Sequence, residues 1–119
     1  MIDFDGTTLR RVLEFHAQAR PSAPALLSPT DGSLSYEQLL AAANHARRWL
    51  ASSGLGARAR IAVLLPTGMP LALATVTVAC NATALPLHPG LTPTELEALL
   101  REARVDAVLA LPDNTVATE

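Results

Sequence analysis

Several residue types that carry common chemistries are missing or scarce in these 119 residues. All nine cationic side chains are Arg, and there is no Lys. A Lys Schiff base, a phosphate-loop Lys or a Lys polarising a transferring group needs a compact ammonium that the planar guanidinium does not replace. The single Cys80 has no second sulfur for an internal disulfide, a CxxC redox pair or a thiolate zinc cluster, which fits a reducing, cytoplasmic setting. Aromatic residues are only 3% of the chain, and the net charge is −2. With Phe4, Phe15, Tyr36 and Trp49 as the whole aromatic supply and no basic surplus, nucleic acid is excluded as the expected partner.

Charge is also absent from 61–94, a stretch longer than the roughly 20 residues that span a bilayer. Pro66, Gly68, Pro70, Pro86, Pro89 and Gly90 divide it into lengths suited to strands and a buried helix, so no membrane span is expected. The start of the chain carries Asp3 and Asp5 where a secretory signal has a positive region, and export is not expected.

What is present is half hydrophobic by composition and reads as a single α/β unit over 1–119, with 112–119 expected to fray. Thr7 or Thr8 is placed to cap a helix in which Leu9, Val12, Leu13, Phe15 and His16 recur before Arg20 and Pro21. Short strands at 25–27 and 34–36 flank an Asp31-Gly32 turn and predict a hairpin. Ser35 with Gln38 has the form of a capping box. The helix it opens carries Leu39, Leu40, Ala43, Ala46, Trp49 and Leu50 on one stripe and stops at Gly54 and Gly56.

From residue 61 the pattern changes. The unalternated run 61–65 suits a strand buried on both faces of a parallel sheet. Segment 71–80 is apolar all round and is expected to be the most buried helix, covered on both sides. A strand at 83–87, a helix opened by Thr92, Pro93 and Glu95, and a strand at 105–111 complete a β-α-β-α-β order. That alternation predicts a three-layer arrangement, a parallel sheet with helices on both faces.

Candidate chemistry is thin. Asp3-Phe4-Asp5-Gly6-Thr7 resembles the DxDGT signature of haloacid-dehalogenase-type phosphatases, but only Met1 and Ile2 precede it where a buried strand is required. A solvated arm is the expectation there. Gly54-Leu55-Gly56 follows a helix and precedes a strand, the reverse of a dinucleotide fingerprint. Pro66-Thr67-Gly68 does join strand to helix, where free N–H groups can face an anion, yet a plain turn explains it. His16, His45 and His88 lack metal-ligand spacing, although His88 follows a strand where α/β folds place ligands. None of the serines sits in a G-x-S-x-G elbow, and Cys80 is expected in the core. No residue is therefore assigned a catalytic, cofactor-binding or metal role.

Three segments in order resemble one family. Leu34-Ser35-Tyr36-Glu37-Gln38-Leu39 is similar to an LTYxEL motif, and 54–66 to a GxxxGDRVAVLLPN connection. The stretch 78–89, containing Asn81, Leu85-Pro86-Leu87 and His88-Pro89, is similar to LKAGxAYVPLDP. These are motifs of adenylate-forming enzymes: acyl-CoA synthetases, adenylation domains of nonribosomal peptide synthetases, and luciferases. Asn81 stands where that family usually has Gly, Thr67 where it has Asn, and His88 where Asp or Asn is common. Asn tolerates positive φ, so Asn81 is expected to keep the turn, while His88 leans away from the amino-acid-activating branch and toward an acyl-CoA synthetase-like or loading-ligase branch.

The resemblance implies the first part of a ligase domain that joins a carboxylate to AMP, releases pyrophosphate and passes the acyl group to CoA or a phosphopantetheine thiol. ATP, Mg2+ and the thiol carrier are implied for that parent and none for this segment, because the family's phosphate loop, ribose-binding Asp and catalytic Lys lie further along. On this reading the segment is inactive alone and partners the remainder of the ligase or a carrier. The other expectation is a stand-alone interaction module that self-associates through an exposed sheet edge.

Overall fold

The computed structural model describes residues 8–88 and 90–111. Helix α1 (Leu9–Ala19) opens at Thr8, whose hydroxyl accepts a hydrogen bond from the Arg11 amide at 3.2 Å. Strands β1 (Pro24–Ser28) and β2 (Gly32–Ser35) form the antiparallel hairpin, and α2 (Tyr36–Ser52) follows at once. Tyr36 is thus the first residue of α2 and not a strand residue. The capping box at Ser35 is complete: the Gln38 amide donates to Ser35 Oγ at 3.1 Å, and the Ser35 amide donates to Gln38 Oε1 at 2.9 Å.

Helix α2 ends in a Schellman motif, with the Gly54 amide bonded to the Ala51 carbonyl and the Leu55 amide to that of Leu50. Gly54 sits at φ 77°, the left-handed region where a side chain would be strained. Then come β3 (Arg60–Leu64), α3 (Met69–Ala79), β4 (Thr83–Pro86), α4 (Pro93–Glu102) and β5 (Ala107–Ala110). The last strand is shorter than 105–111 because α4 closes with a second Schellman motif. In it the Arg104 and Val105 amides bond to the carbonyls of Arg101 and Leu100. Here the left-handed position is held by Arg104 at φ 54°.

β3 lies at the centre of a three-stranded parallel sheet ordered β4-β3-β5. Its alternation divides two cores. Ala62 and Leu64 face α4, packing with Leu87 and Leu96, while Ile61 packs with Leu50 of α2 and Val78 of α3 on the opposite face. Ile61, Val63 and Val78 are fully buried, each worth about 1.5–3 kcal/mol of transfer free energy. The expected parallel sheet with helices on both faces is therefore present.

A third cluster, Leu13, Leu39 and Ala43 with Leu26 and Leu73, fastens α1 and the hairpin to the outer side of α2 and α3. This is why an all-apolar α3 is stable: the sheet covers one side of it and the α1–hairpin layer the other. Two apolar stripes are narrower than periodicity suggests. On α1 only Leu13 is buried and Phe15 is exposed, and on α2 Trp49 stands out of the core, 38% exposed. The segment 112–119 and the arm bearing Asp3 and Asp5 lie outside the described residues. No described helix is long and apolar enough to cross a membrane.

Candidate functional site

Two features of the structure bear on function: the loops at the C-terminal ends of the parallel strands, and a groove between α2, α3 and β5. At the strand ends, the Pro66-Thr67-Gly68 loop leads from β3 into α3, where Gly68 at φ 112° is the N-cap and provides no side-chain hydrogen bond. Thr67 is exposed. After β4, His88 makes a tight turn: its Nδ1 accepts a hydrogen bond from the Gly90 amide at 2.8 Å, so the neutral imidazole carries its proton on Nε2. A Cβ at position 90 would lie 2.8 Å from His88 Cε1, so a larger residue there would push the imidazole out of this position. The role the structure gives His88 is to shape this loop.

The groove encloses about 500 Å³ and is almost wholly apolar. Trp49 and Ala46 of α2 form one wall, Leu73 and Val78 of α3 the other, and Leu65 with Leu109 the floor. Leu111 stands at the rim, 43% exposed, and His45 and Thr77 are the polar members of the lining. Trp49, expected in the core, thus turns out to be a groove residue. Periodicity placed it on the correct flank of α2 but carried no information on what would cover it.

The three histidines are not brought together. His16 stacks on Tyr36 with ring centroids 5.0 Å apart and meets the edge of Phe15 at 5.3 Å, while its buried Nδ1 has no hydrogen-bond partner among the described residues. His45 lines the groove and His88 lies beyond β4. Among the described residues no group of three His, Cys, Asp or Glu side chains could hold a metal ion. Cys80 is partly buried, and burial pushes its thiol pKa up; the nearby Arg10 guanidinium pulls it back down in part, and Glu14 adds a smaller upward push. A thiol so placed is a poor nucleophile.

A polar network invisible to sequence periodicity occupies the junction of α1, α2 and α3. The Arg10 guanidinium, its side chain only 14% exposed, donates from Nη1 to Asn44 Oδ1 at 2.7 Å and from Nη2 to Asn81 Oδ1 at 2.6 Å. Asn81 Nδ2 in turn donates to the carbonyls of Ala43 at 2.9 Å and Thr77 at 2.8 Å. Asn81 is not at positive φ, since Arg104 is the one described non-glycine residue there. Its presence where the resembling motif has Gly is explained by this side-chain bridging and not by tolerance of a left-handed turn.

The α/β arrangement, the motif-bearing strand ends and the order of segments define a member of the AMP-binding enzyme family, and the chain belongs to it: the family model matches residues 13–119. Novobiocin biosynthesis protein H of Streptomyces niveus is 32% identical over 104 residues, covering 87% of this chain but 17% of that protein. Among solved structures, the N-terminal domain of FACL13 from Mycobacterium tuberculosis superposes with a TM-score of 0.79 at 25% identity, covering 92% of this chain and 28% of that one. VinN in complex with 3-methylaspartate gives 0.74 at 26% identity, covering 86% and 28%. A long-chain-fatty-acid CoA ligase of Rhodopseudomonas palustris shares the fold with a TM-score of 0.82 at 23% identity over 94% of this chain and 29% of the ligase. The chain spans between about a sixth and a third of the length of such relatives.

Proposed function

We propose that this chain is the N-terminal scaffold segment of an ATP-dependent carboxylate-activating ligase, which forms an acyl-adenylate and transfers the acyl group to CoA or a phosphopantetheine thiol. The observation carrying this reading is the family match across 13–119, on a fold shared with one portion of longer enzymes. The residues present do not themselves suit ATP and Mg2+. The sequence has no Lys to meet a phosphate, and the described carboxylates do not cluster. The nucleotide, the metal and the thiol acceptor are accordingly assigned to the remainder of the ligase.

In this role the segment supplies form. Its two cores hold the neighbouring ends of β3 and β4 in register, and its groove and sheet edge meet other polypeptide. ATP–pyrophosphate exchange by the purified chain, tried with a panel of fatty and amino acids, tests the proposal. No exchange is expected, and reproducible exchange with any acid would refute the scaffold role.

A further inference from the structure

The side-chain carbonyl carbon of an Asp or Asn lies within reach of the next residue's amide nitrogen, and the two can close a five-membered ring. Closure requires a side chain that is free to turn and no Cβ on the following residue to crowd the approach. Of the Asp and Asn residues in the described part of the chain, Asn44, Asn81 and Asp106 fail both conditions. Asn44 Oδ1 accepts from Arg10, Asn81 is held by Arg10 and by the carbonyls of Ala43 and Thr77, and Asp106 Oδ2 accepts from the Arg60 amide at 2.8 Å. They are followed by His45, Ala82 and Ala107, each with a Cβ. Asp31 meets both conditions. Its carboxylate has no hydrogen-bond or ion-pair partner among the described residues, and the next residue is Gly32.

The surroundings of this pair are those of a solvent-facing turn. Residues 29–33, at the tip of the β1–β2 hairpin, are polar or turn-forming and exposed. Ser28 Oγ accepts from the Thr30 amide at 3.3 Å and the Asp31 amide at 3.1 Å, which fixes the Asp31 backbone while leaving its carboxyl loose. Gly32 sits at φ 84° with nothing within 4 Å of where a Cβ would be. Ser28 and Gly32 form the last pair of the ladder, the pair that frays first. Its opening leaves the base of the hairpin intact, where the Tyr36 amide donates to Ala23 O and the Glu37 amide to Pro21 O, both at 3.0 Å.

We propose that Asp31 is a site of spontaneous isoaspartate formation in the folded chain. The Gly32 nitrogen attacks Asp31 Cγ. A C–N bond forms, the amide proton and the carboxyl hydroxyl leave together as water, and a succinimide ring remains. Water then opens the ring. Cleavage between the nitrogen and Cγ restores Asp31, whereas cleavage between the nitrogen and the main-chain carbonyl carbon leaves the chain running through Cγ and the α-carboxylate free. Nothing is oxidised or reduced, and water is the sole co-reactant. The product carries one more main-chain carbon between residues 31 and 32, so the Ser28–Gly32 pair shifts while the hairpin base stays. The proposal rests on the hairpin tip and is independent of the ligase reading.

The purified full chain would be held in neutral buffer at physiological temperature for several weeks, sampled, digested and mapped by mass spectrometry with electron-transfer fragmentation, which separates isoaspartyl from aspartyl peptides. Mapping also resolves Asp31-Gly32 from Asp5-Gly6. Isoaspartate is expected to accumulate at position 31, with a transient species lighter by one water, while the peptide containing Asp106 stays α-linked. Asp31→Glu, which could close only a six-membered ring, should lose the signal at that position. Asp31→Asn closes the same ring with ammonia as leaving group and should convert severalfold faster. Circular dichroism checks that both variants are folded, and the time course on the unaltered chain requires neither. An Asp31 that stays α-linked, or that converts no faster than Asp106, would overturn the proposal. Conversion seen only after urea unfolds the chain would overturn it as well, because the folded turn would then be protective.

Discussion

Replacing Asn81 by Ala removes three hydrogen bonds at once. Two are neutral, from Asn81 Nδ2 to the carbonyls of Ala43 and Thr77, and each contributes about 0.5–1.5 kcal/mol net. The third, from the mostly buried Arg10 guanidinium, is charge-assisted and contributes about 1.5–3 kcal/mol. Asn44 still accepts from Arg10, so the cation is not abandoned, and the summed loss is about 2.5–6 kcal/mol. For a domain whose total stability is on the order of 10 kcal/mol, that is a large share. Urea unfolding followed by Trp49 fluorescence would measure it, and a double-mutant cycle with Arg10→Met isolates the charged contact. The coupling energy should be about 1.5–3 kcal/mol. Additive effects, within about 0.5 kcal/mol, would show that Arg10 and Asn81 do not support each other and would refute the network as a stabilising unit.

Three further outcomes are expected. Ile61→Ala, which hollows the core between β3, α2 and α3, should cost about 2–5 kcal/mol in denaturant unfolding, whereas the same substitution at exposed Leu27 should cost little. Arg104→Gly relieves a left-handed residue at the C-terminus of α4 and should raise stability by about 0.5–1 kcal/mol, visible as a higher thermal midpoint. The Glu95 pKa is held below its ordinary value, chiefly by the hydrogen bond from the Thr92 amide and then by that from the Thr92 hydroxyl. Its contribution is therefore fully present above the ordinary glutamate pKa of about 4.3 and fades as the pH falls through the lower folded-state value. Glu95→Gln should flatten part of the acid limb of the stability profile, and an unchanged limb would discount the contact.

The elements that local chemistry encodes were legible from sequence: the capping boxes at Ser35 and Thr92, the stop at Gly54, and the uncharged run that became β3. Each depends on residues a few positions apart. The boundaries that shifted did so where a neighbouring motif took residues over, as when the Schellman turn claimed Val105 from β5. Trp49 and Phe15 were misplaced because helical periodicity marks an apolar face without showing how wide a partner covers it. The Arg10–Asn44–Asn81 network joins residues 34 and 71 positions apart, and no local pattern connects them. The groove was likewise hidden, being assembled from α2, α3 and β5, each unremarkable by itself.

The position of β3 between two later strands has a consequence for synthesis from the N-terminus. When 60–64 is made, neither of its partners exists; β4 follows from residue 83 and β5 from residue 107. The α1–hairpin–α2 layer can begin to assemble from local contacts while the most apolar strand waits for its neighbours. During that interval the chain carries its greatest aggregation hazard at Ile61 to Leu64. A nascent chain stalled before residue 107 would keep that strand open on one side, so ribosome pausing within this window would be felt as lost yield, not as altered structure.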